Sequence, residues 1–221
     1  MNIAIDGPAG AGKSTIARKL AKEMNVIYVD TGAMYRAMGL YYLNNGIKPD
    51  DINSIENLCD KIDVRLGFEN GEQVVYLNGE NVNGLIRTQE VGNMASAVSV
   101  NAKVREKMVE LQQNIAKTVD VVMDGRDIGT VVLPEAEVKI FLTASVDVRA
   151  KRRFEEFKAK GIDCNFEKIR NEIEERDFRD INRANSPLKR AEDAVLLDSS
   201  DLSVEEVTNI MKEIIKEKSK D

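Results

Sequence analysis

The sequence predicts an α/β fold built on a five-stranded parallel sheet, and three observations predict it. Short apolar runs alternate with helical patterns, the runs are apolar throughout except at Lys139 rather than alternating in polarity, and a glycine-rich turn joins the first run to the first helix. The runs are Ile3 to Ile5, Val26 to Val29, Val121 to Met123, Val138 to Leu142 and Val195 to Leu197. Unbroken apolar strands are those covered on both faces, so a three-layer α/β/α arrangement is expected.

The first turn carries the chemistry. Gly7-Pro8-Ala9-Gly10-Ala11-Gly12-Lys13-Ser14 matches G-x-x-x-x-G-K-[ST], the phosphate-binding loop of P-loop NTPases. Glycines let successive backbone N–H groups turn inward, and the following helix N-terminus adds partial positive charge where phosphates sit. Lys13 is expected at the β- and γ-phosphates and the Ser14 hydroxyl on Mg²⁺, with Thr15 completing the loop's contacts to ATP. Ile16, Leu20 and Met24, with Ala17 and Ala21, form the apolar stripe of the helix that follows.

Asp30, Asp124 and Asp198 end three of the strand runs and Asp6 follows the first. Ligands of open parallel sheets gather at the carboxyl ends of strands, which makes Asp30 and Asp124 site candidates; a helix cap or turn is the alternative for each.

The rhythm breaks between Val64 and Arg87. Val64 to Phe68 and Gln73 to Leu77 alternate around Asn70-Gly71, and Asn78-Gly79 turns the chain again toward Val82, a small antiparallel insert that either closes over a second substrate or decorates the surface. From Arg149 to Arg190, 22 of 42 residues are charged, with a local balance of +4 in a chain of net charge −6. Phe154, Phe157, Ile169 and Ile173 give that stretch a narrow apolar face, and Gly161 and Asn165 divide it into two helices. So little apolar content predicts a mobile lid; a solvated helical hairpin is the alternative. Ser203-Val204-Glu205-Glu206 is a capping box opening a last helix whose face of Val207, Ile210, Met211 and Ile214 covers the sheet.

Composition narrows the function. A pI near 5.0 argues against a protein that coats nucleic acid. No run approaches the roughly 18 apolar residues of a membrane span, and the N-terminus enters a strand without a charged leader, so a cytoplasmic protein is expected. Cys59 and Cys164 are isolated and the chain has no histidine, which makes a zinc site a poor reading.

Arginines then identify the acceptor. Arg36 follows the second strand, Arg126 the Val121 to Met123 strand, and Arg183 lies in the charged stretch. Guanidinium forks bind phosphate oxygens bidentately, so three arginines near one sheet edge suit an acceptor that is itself a phosphate. Such an acceptor already carries an anionic nucleophile and needs positioning and charge neutralisation rather than a histidine base.

Gly7 to Ser14, Asp30-Thr31-Gly32-Ala33-Met34-Tyr35-Arg36, Ile86-Arg87-Thr88-Gln89-Glu90-Val91, Asp124-Gly125-Arg126-Asp127-Ile128-Gly129-Thr130-Val131-Val132 and Arg176-Asp177-Phe178-Arg179-Asp180-Ile181-Asn182-Arg183, in this order, resemble the bacterial cytidylate kinases. The resemblance implies phosphoryl transfer from ATP, with Mg²⁺, to CMP and dCMP in a monomer. It implies that Thr31, Arg105 and Asp127 read the cytosine edge, that Arg36, Arg126 and Arg183 grip the acceptor phosphate, and that Ser96, Arg176 and Asp180 approach the sugar. Lys13, Arg126 and Arg183 are then the catalytic charges. Position 31 is threonine where some relatives have serine, and on helical spacing alone Arg105 reads as a solvated arginine.

The organisation that follows is one kinase domain, 1–221: core over 1–60, 106–148 and 191–221, a monophosphate-binding insert over 61–105 and a lid over 149–190. Another small P-loop kinase, acting on a different monophosphate, shikimate or dephospho-coenzyme A, is the nearest rival; a P-loop ATPase or switch is the next, although no guanine-reading N-K-x-D segment occurs.

Overall fold

The computed structural model describes residues 1–69 and 72–218. The chain runs β1 (Asn2–Asp6), α1 (Lys13–Met24), β2 (Ile27–Asp30), α2 (Thr31–Asn44), α3 (Ile52–Cys59), β3 (Val64–Glu69), β4 (Glu72–Leu77), β5 (Glu80–Asn81), α4 (Gln89–Val98), α5 (Ala102–Ala116) and β6 (Val121–Gly125). A π-helical turn (Ile128–Val132) leads to β7 (Val138–Thr143), α6 (Val146–Ala159), α7 (Phe166–Asn182), β8 (Val195–Asp198) and α8 (Val204–Lys218).

All five strand runs form one parallel sheet in the order β2-β6-β1-β7-β8. The central β1 pairs with β6 from Asn2↔Val121 to Asp6↔Gly125 and with β7 from Ile3↔Val138 to Asp6↔Phe141. Every residue of β1 from Ile3 to Asp6 and every residue of β6 is buried, which is why these strands lack alternation. One sheet face meets α1 and α8 through Ile3, Ile5, Ile140 and Leu142 against Ile16, Leu20, Val207 and Met211. The capping box forms: the Ser203 hydroxyl accepts from the Glu206 N–H and the Glu206 carboxylate accepts from the Ser203 N–H.

Two compact units emerge from the packing. One comprises Met1–Tyr28 together with the chain from Val119 onward, the other Val29–Thr118. The second holds the antiparallel sheet β3-β4-β5, in register from Val64↔Leu77 to Glu69↔Glu72, and the helices α2 to α5. The expected Asn70-Gly71 turn lies outside the described residues. This unit is wider than the segment 61–105 because α2 packs along α4, where Gly39 lets the helices approach: a Cβ there would stand 2.8 Å from the Ala95 nitrogen. The Tyr42 hydroxyl ties α2 to α3 by donating to the Ile55 carbonyl at 3.0 Å.

In the first unit, α6 and α7 divide where expected. Gly161 takes φ +70°, and the Asn165 side chain caps α7 by accepting from the Lys168 N–H at 2.9 Å. Ala150, Ile169 and Ile173 are buried between the helices, with Phe154, Phe157, Cys164 and Phe166 against them. Cys59 and Cys164 are free thiols.

Candidate active site

The phosphate loop leaves the carboxyl end of the central strand, and its shape is set by backbone conformations a side chain would oppose. Gly7 has φ +147°, and a Cβ on it would stand 1.9 Å from the Leu142 carbonyl oxygen. Gly12 caps α1 at φ +89°. Three loop carbonyls accept hydrogen bonds: Pro8 from Lys13 Nζ at 2.7 Å, Ala9 from Arg149 Nη1 at 2.9 Å and Ala11 from the Ser199 hydroxyl at 3.3 Å. Tying carbonyls away in this manner favours a loop whose N–H groups serve an anion.

Lys13 is 5% exposed. Burial lowers its pKa to about 7, neighbouring Arg126 adds to the shift, the carboxylates of Asp124 and Asp6 oppose it, and Arg176 lowers it further. These five groups therefore share one electrostatic neighbourhood. Ser14 Oγ donates to Asp124 Oδ2 at 2.9 Å, while Tyr28 donates its hydroxyl to Asp124 Oδ1 at 2.8 Å. A hydroxyl and a carboxylate side by side at the loop are hard oxygen donors of the kind Mg²⁺ takes when phosphates supply the rest. Among the described residues there is no cluster of three or more acidic, histidine or cysteine side chains for a metal.

Asp6 and Asp30 are resolved differently. Asp30 caps α2 by accepting from the Ala33 N–H at 2.9 Å and pairs with Arg87 at 2.8 Å, while Asp198 accepts from Ser200 within a turn. Asp6 accepts from the N–H groups of Ile128 and Gly129, each at 2.8 Å.

Just past β6, two of the expected acceptor residues, Arg126 and Asp127, meet α7 and the residue that follows it. Arg126 Nε donates to Asp180 Oδ2 at 2.8 Å, and Arg183 Nη2 lies 3.6 Å from Asp127 Oδ1. Burial works against the Arg126 charge, but Asp180 leads a set of carboxylates that outweighs it and raises the pKa. Burial raises the Asp180 pKa and the guanidiniums of Arg126, Arg176 and Arg183 more than reverse it, leaving a carboxylate held below its usual range.

The remaining candidates lie in the second unit. Thr31 opens α2 and is buried. The Arg36 side chain lies beside Gly32 and Gly92, Ser96 stands one turn beyond Gly92 on α4, and Arg105 extends from α5. Helical spacing misplaces Arg105: it is 4% exposed, donates to the Ser99 carbonyl at 3.1 Å and stands 5.7 Å from the centre of the Tyr35 ring. Spacing registers only the apolar stripe, and an arginine buried by a carbonyl and a ring interrupts that stripe without announcing itself.

Two arginines not singled out from sequence lie against the phosphate loop and its neighbours. Arg149, 4% exposed, joins the Ala9 and Ala144 carbonyls to Asp177 of α7 at 2.6 Å. Arg152 donates to the Ser199 carbonyl at 2.6 Å. Their only signal in the sequence is the arginine density after Ser145.

A parallel sheet with this loop at its central strand, a buried lysine inside it and paired arginines beyond the next strand defines a P-loop nucleotide-binding protein. A family model described as Cytidylate kinase matches residues 3–217. Cytidylate kinase of Caldicellulosiruptor saccharolyticus is 52% identical over 207 residues, 94% of this chain and 92% of that protein. That of Lactobacillus gasseri is 51% identical over all of this chain and 96% of its own, and that of Carboxydothermus hydrogenoformans 49% identical over 99% of each. An uncharacterized protein from Eubacterium ventriosum shares the fold at TM-score 0.54 and 14% identity, covering 98% of each chain. The chain belongs to the cytidylate kinase family. It is a phosphotransferase, a nucleoside monophosphate kinase with ATP as co-substrate.

Proposed function

We propose that the enzyme transfers the γ-phosphoryl of ATP to CMP and dCMP, giving ADP with CDP or dCDP. The observation that carries this reading is the charge cluster around Lys13. Partly buried Arg126 and Arg183 are paired with Asp180 and Asp127, and Lys13 sits near Arg126 and Arg176 with its own charge suppressed. Cations balanced by exchangeable ion pairs are suited to receiving phosphate oxygens, and the reaction asks mainly for positioning and electrostatic stabilisation.

In this reading, the backbone of Gly7, Pro8, Ala9, Gly10, Ala11 and Gly12, with Lys13, Ser14 and Thr15, holds the donor phosphates. Lys13, Arg126 and Arg183 offset charge on the transferring group. Arg36, Arg126 and Arg183 bind the acceptor phosphate, Ser96, Arg176 and Asp180 the sugar, and Thr31, Arg105 and Asp127 the cytosine, with Asp127 accepting from the exocyclic amine. Ser14, joined by Asp124, would hold Mg²⁺, which when bound neutralises phosphate charge. A cytoplasmic monomer accompanies this reading; none of the described helices is long and apolar enough to cross a membrane.

Arg126→Ala tests the assignment. Its kcat/KM for CMP is expected to fall by about a hundredfold through loss of a charge-assisted contact, while the ATP Kd holds. Equal losses for donor and acceptor would overturn the role given to Arg126.

A further inference from the structure

The π-helical turn after β6 begins with an arrangement opposite to that of an ordinary cap. Asp127 occupies the position before the turn, where an aspartate side chain normally accepts from the first exposed N–H groups. It makes no such bond. The N–H groups of Ile128 and Gly129 are instead taken by Asp6, from 122 and 123 residues away in sequence, one to each carboxylate oxygen at 2.8 Å. Asp6 is 5% exposed and is the last residue of β1, directly before the first glycine of the phosphate loop. The Asp127 backbone joins the turn, its carbonyl accepting from the Val131 N–H at 2.9 Å, while its side chain turns to Arg183.

The geometry points to Asp6 as a positioning residue for acceptor selection: by capping the turn in place of Asp127, it keeps the Asp127 carboxylate available to the acceptor base. This rests on the reading that Asp127 accepts from the cytosine amine. Burial is the chief influence on Asp6 itself and raises its pKa to about 6, while the two backbone N–H groups hold the carboxylate against that shift. The turn has two buried N–H groups to satisfy, Asp6 accepts from both, and Asp127 holds the cap position of the same turn. Without Asp6, the Asp127 side chain is expected to take the ordinary role of its cap position, folding onto its own turn and away from the substrate.

The decisive experiment compares Asp6→Asn, Asp127→Asn and the double variant, each assayed for kcat/KM with CMP and with UMP and for ATP affinity. Asp6 also lies near Lys13, so its removal changes the transfer step for every acceptor; the CMP-to-UMP ratio cancels that contribution. Asp6→Asn is expected to lower the ratio about tenfold, in line with the loss of one well-made buried hydrogen bond, and to have no further effect on the ratio once Asp127→Asn is present. A purely structural Asp6 would lower the melting temperature and leave the ratio unchanged, and that result overturns the inference. If Asp127→Asn itself leaves the ratio unchanged, the base-reading role of Asp127 is what fails. Should Asp6→Asn bind no ATP, Asp6→Glu, whose extra methylene displaces the same carboxylate from the turn, replaces it in the cycle with the same expected coupling.

Discussion

The phosphate loop and the α6–α7 helical pair both hold charge, by opposite means. The loop does it with main chain: φ values at Gly7, Gly10 and Gly12 that other residues resist, and carbonyls tied down by Lys13, Arg149 and Ser199. The helical pair does it with side chains: a stretch more than half charged, a buried centre of Ala150, Ile169 and Ile173, and ion pairs such as Arg126–Asp180 and Arg149–Asp177. Backbone dipoles are fixed when the chain folds and cost no reorganisation later. Ion pairs are exchangeable, so an arginine held by a carboxylate can pass to a phosphate. The difference sets a site fixed by main chain against one assembled from side chains, and each half can be broken separately.

The largest effect is expected at Gly7. Gly7→Ala places a Cβ against the Leu142 carbonyl at a φ that L-residues avoid, and a loss of about 4 kcal/mol is expected from the denaturant midpoint, because strain and overlap act together. A near-native midpoint would mean that the loop yields, and that its shape is not set by the backbone. Next is Lys13→Ala. If Lys13 stabilises the transferring phosphoryl as proposed, its loss is expected to cut kcat by about 10²–10³-fold in steady-state turnover, with the melting temperature little lowered.

Ile173→Ala sharpens the other side of the contrast. Removing a buried methylene group and two methyls from a small cluster is expected to cost about 2 kcal/mol. That cost should appear as faster amide exchange across 146–182 while α1 keeps its protection; slowing or speeding of both together would show that the helices do not open as a separate element. The smallest signal is a proton count. A Lys13 ammonium with a pKa lowered from 10.5 to about 7 is mostly neutral at pH 8, and phosphates bring the charge back. ATP binding at pH 8 is therefore expected to take up most of a proton, read by calorimetry in buffers of different ionisation enthalpy, and Lys13→Met should abolish it. The same shift has a sign in stability: between about 7 and 10.5 the unfolded chain holds the proton that folded Lys13 has released, so this group's contribution to stability rises with pH across that window.

How far these features were legible depends on the distance in sequence between cause and effect. The loop, five strands, the Gly161–Asn165 break and the Ser203 cap are local patterns, and each is present as expected. Asp6 could be noticed only as an acid after a strand, because the N–H groups it serves lie more than a hundred residues away and belong to a π-helical turn that no periodicity marks. Arg149 is one of thirteen basic residues in its stretch, and only the fold distinguishes it from its solvated neighbours by bringing Ala9 to it. Arg105 was hidden for a related reason: its burial depends on Ser99 and on Tyr35 of another helix rather than on the spacing of its own.

Acceptor choice is the central claim, and the most direct measurement is coupled ADP formation from ATP and Mg²⁺ with CMP, dCMP, UMP, AMP, GMP and shikimate offered separately. Strong turnover with CMP and dCMP and weak turnover with the rest is the expected result. Turnover with UMP equal to that with CMP would contradict the reading of the cytosine amine by Asp127, and ADP formation indifferent to every acceptor would contradict phosphate-to-phosphate transfer itself.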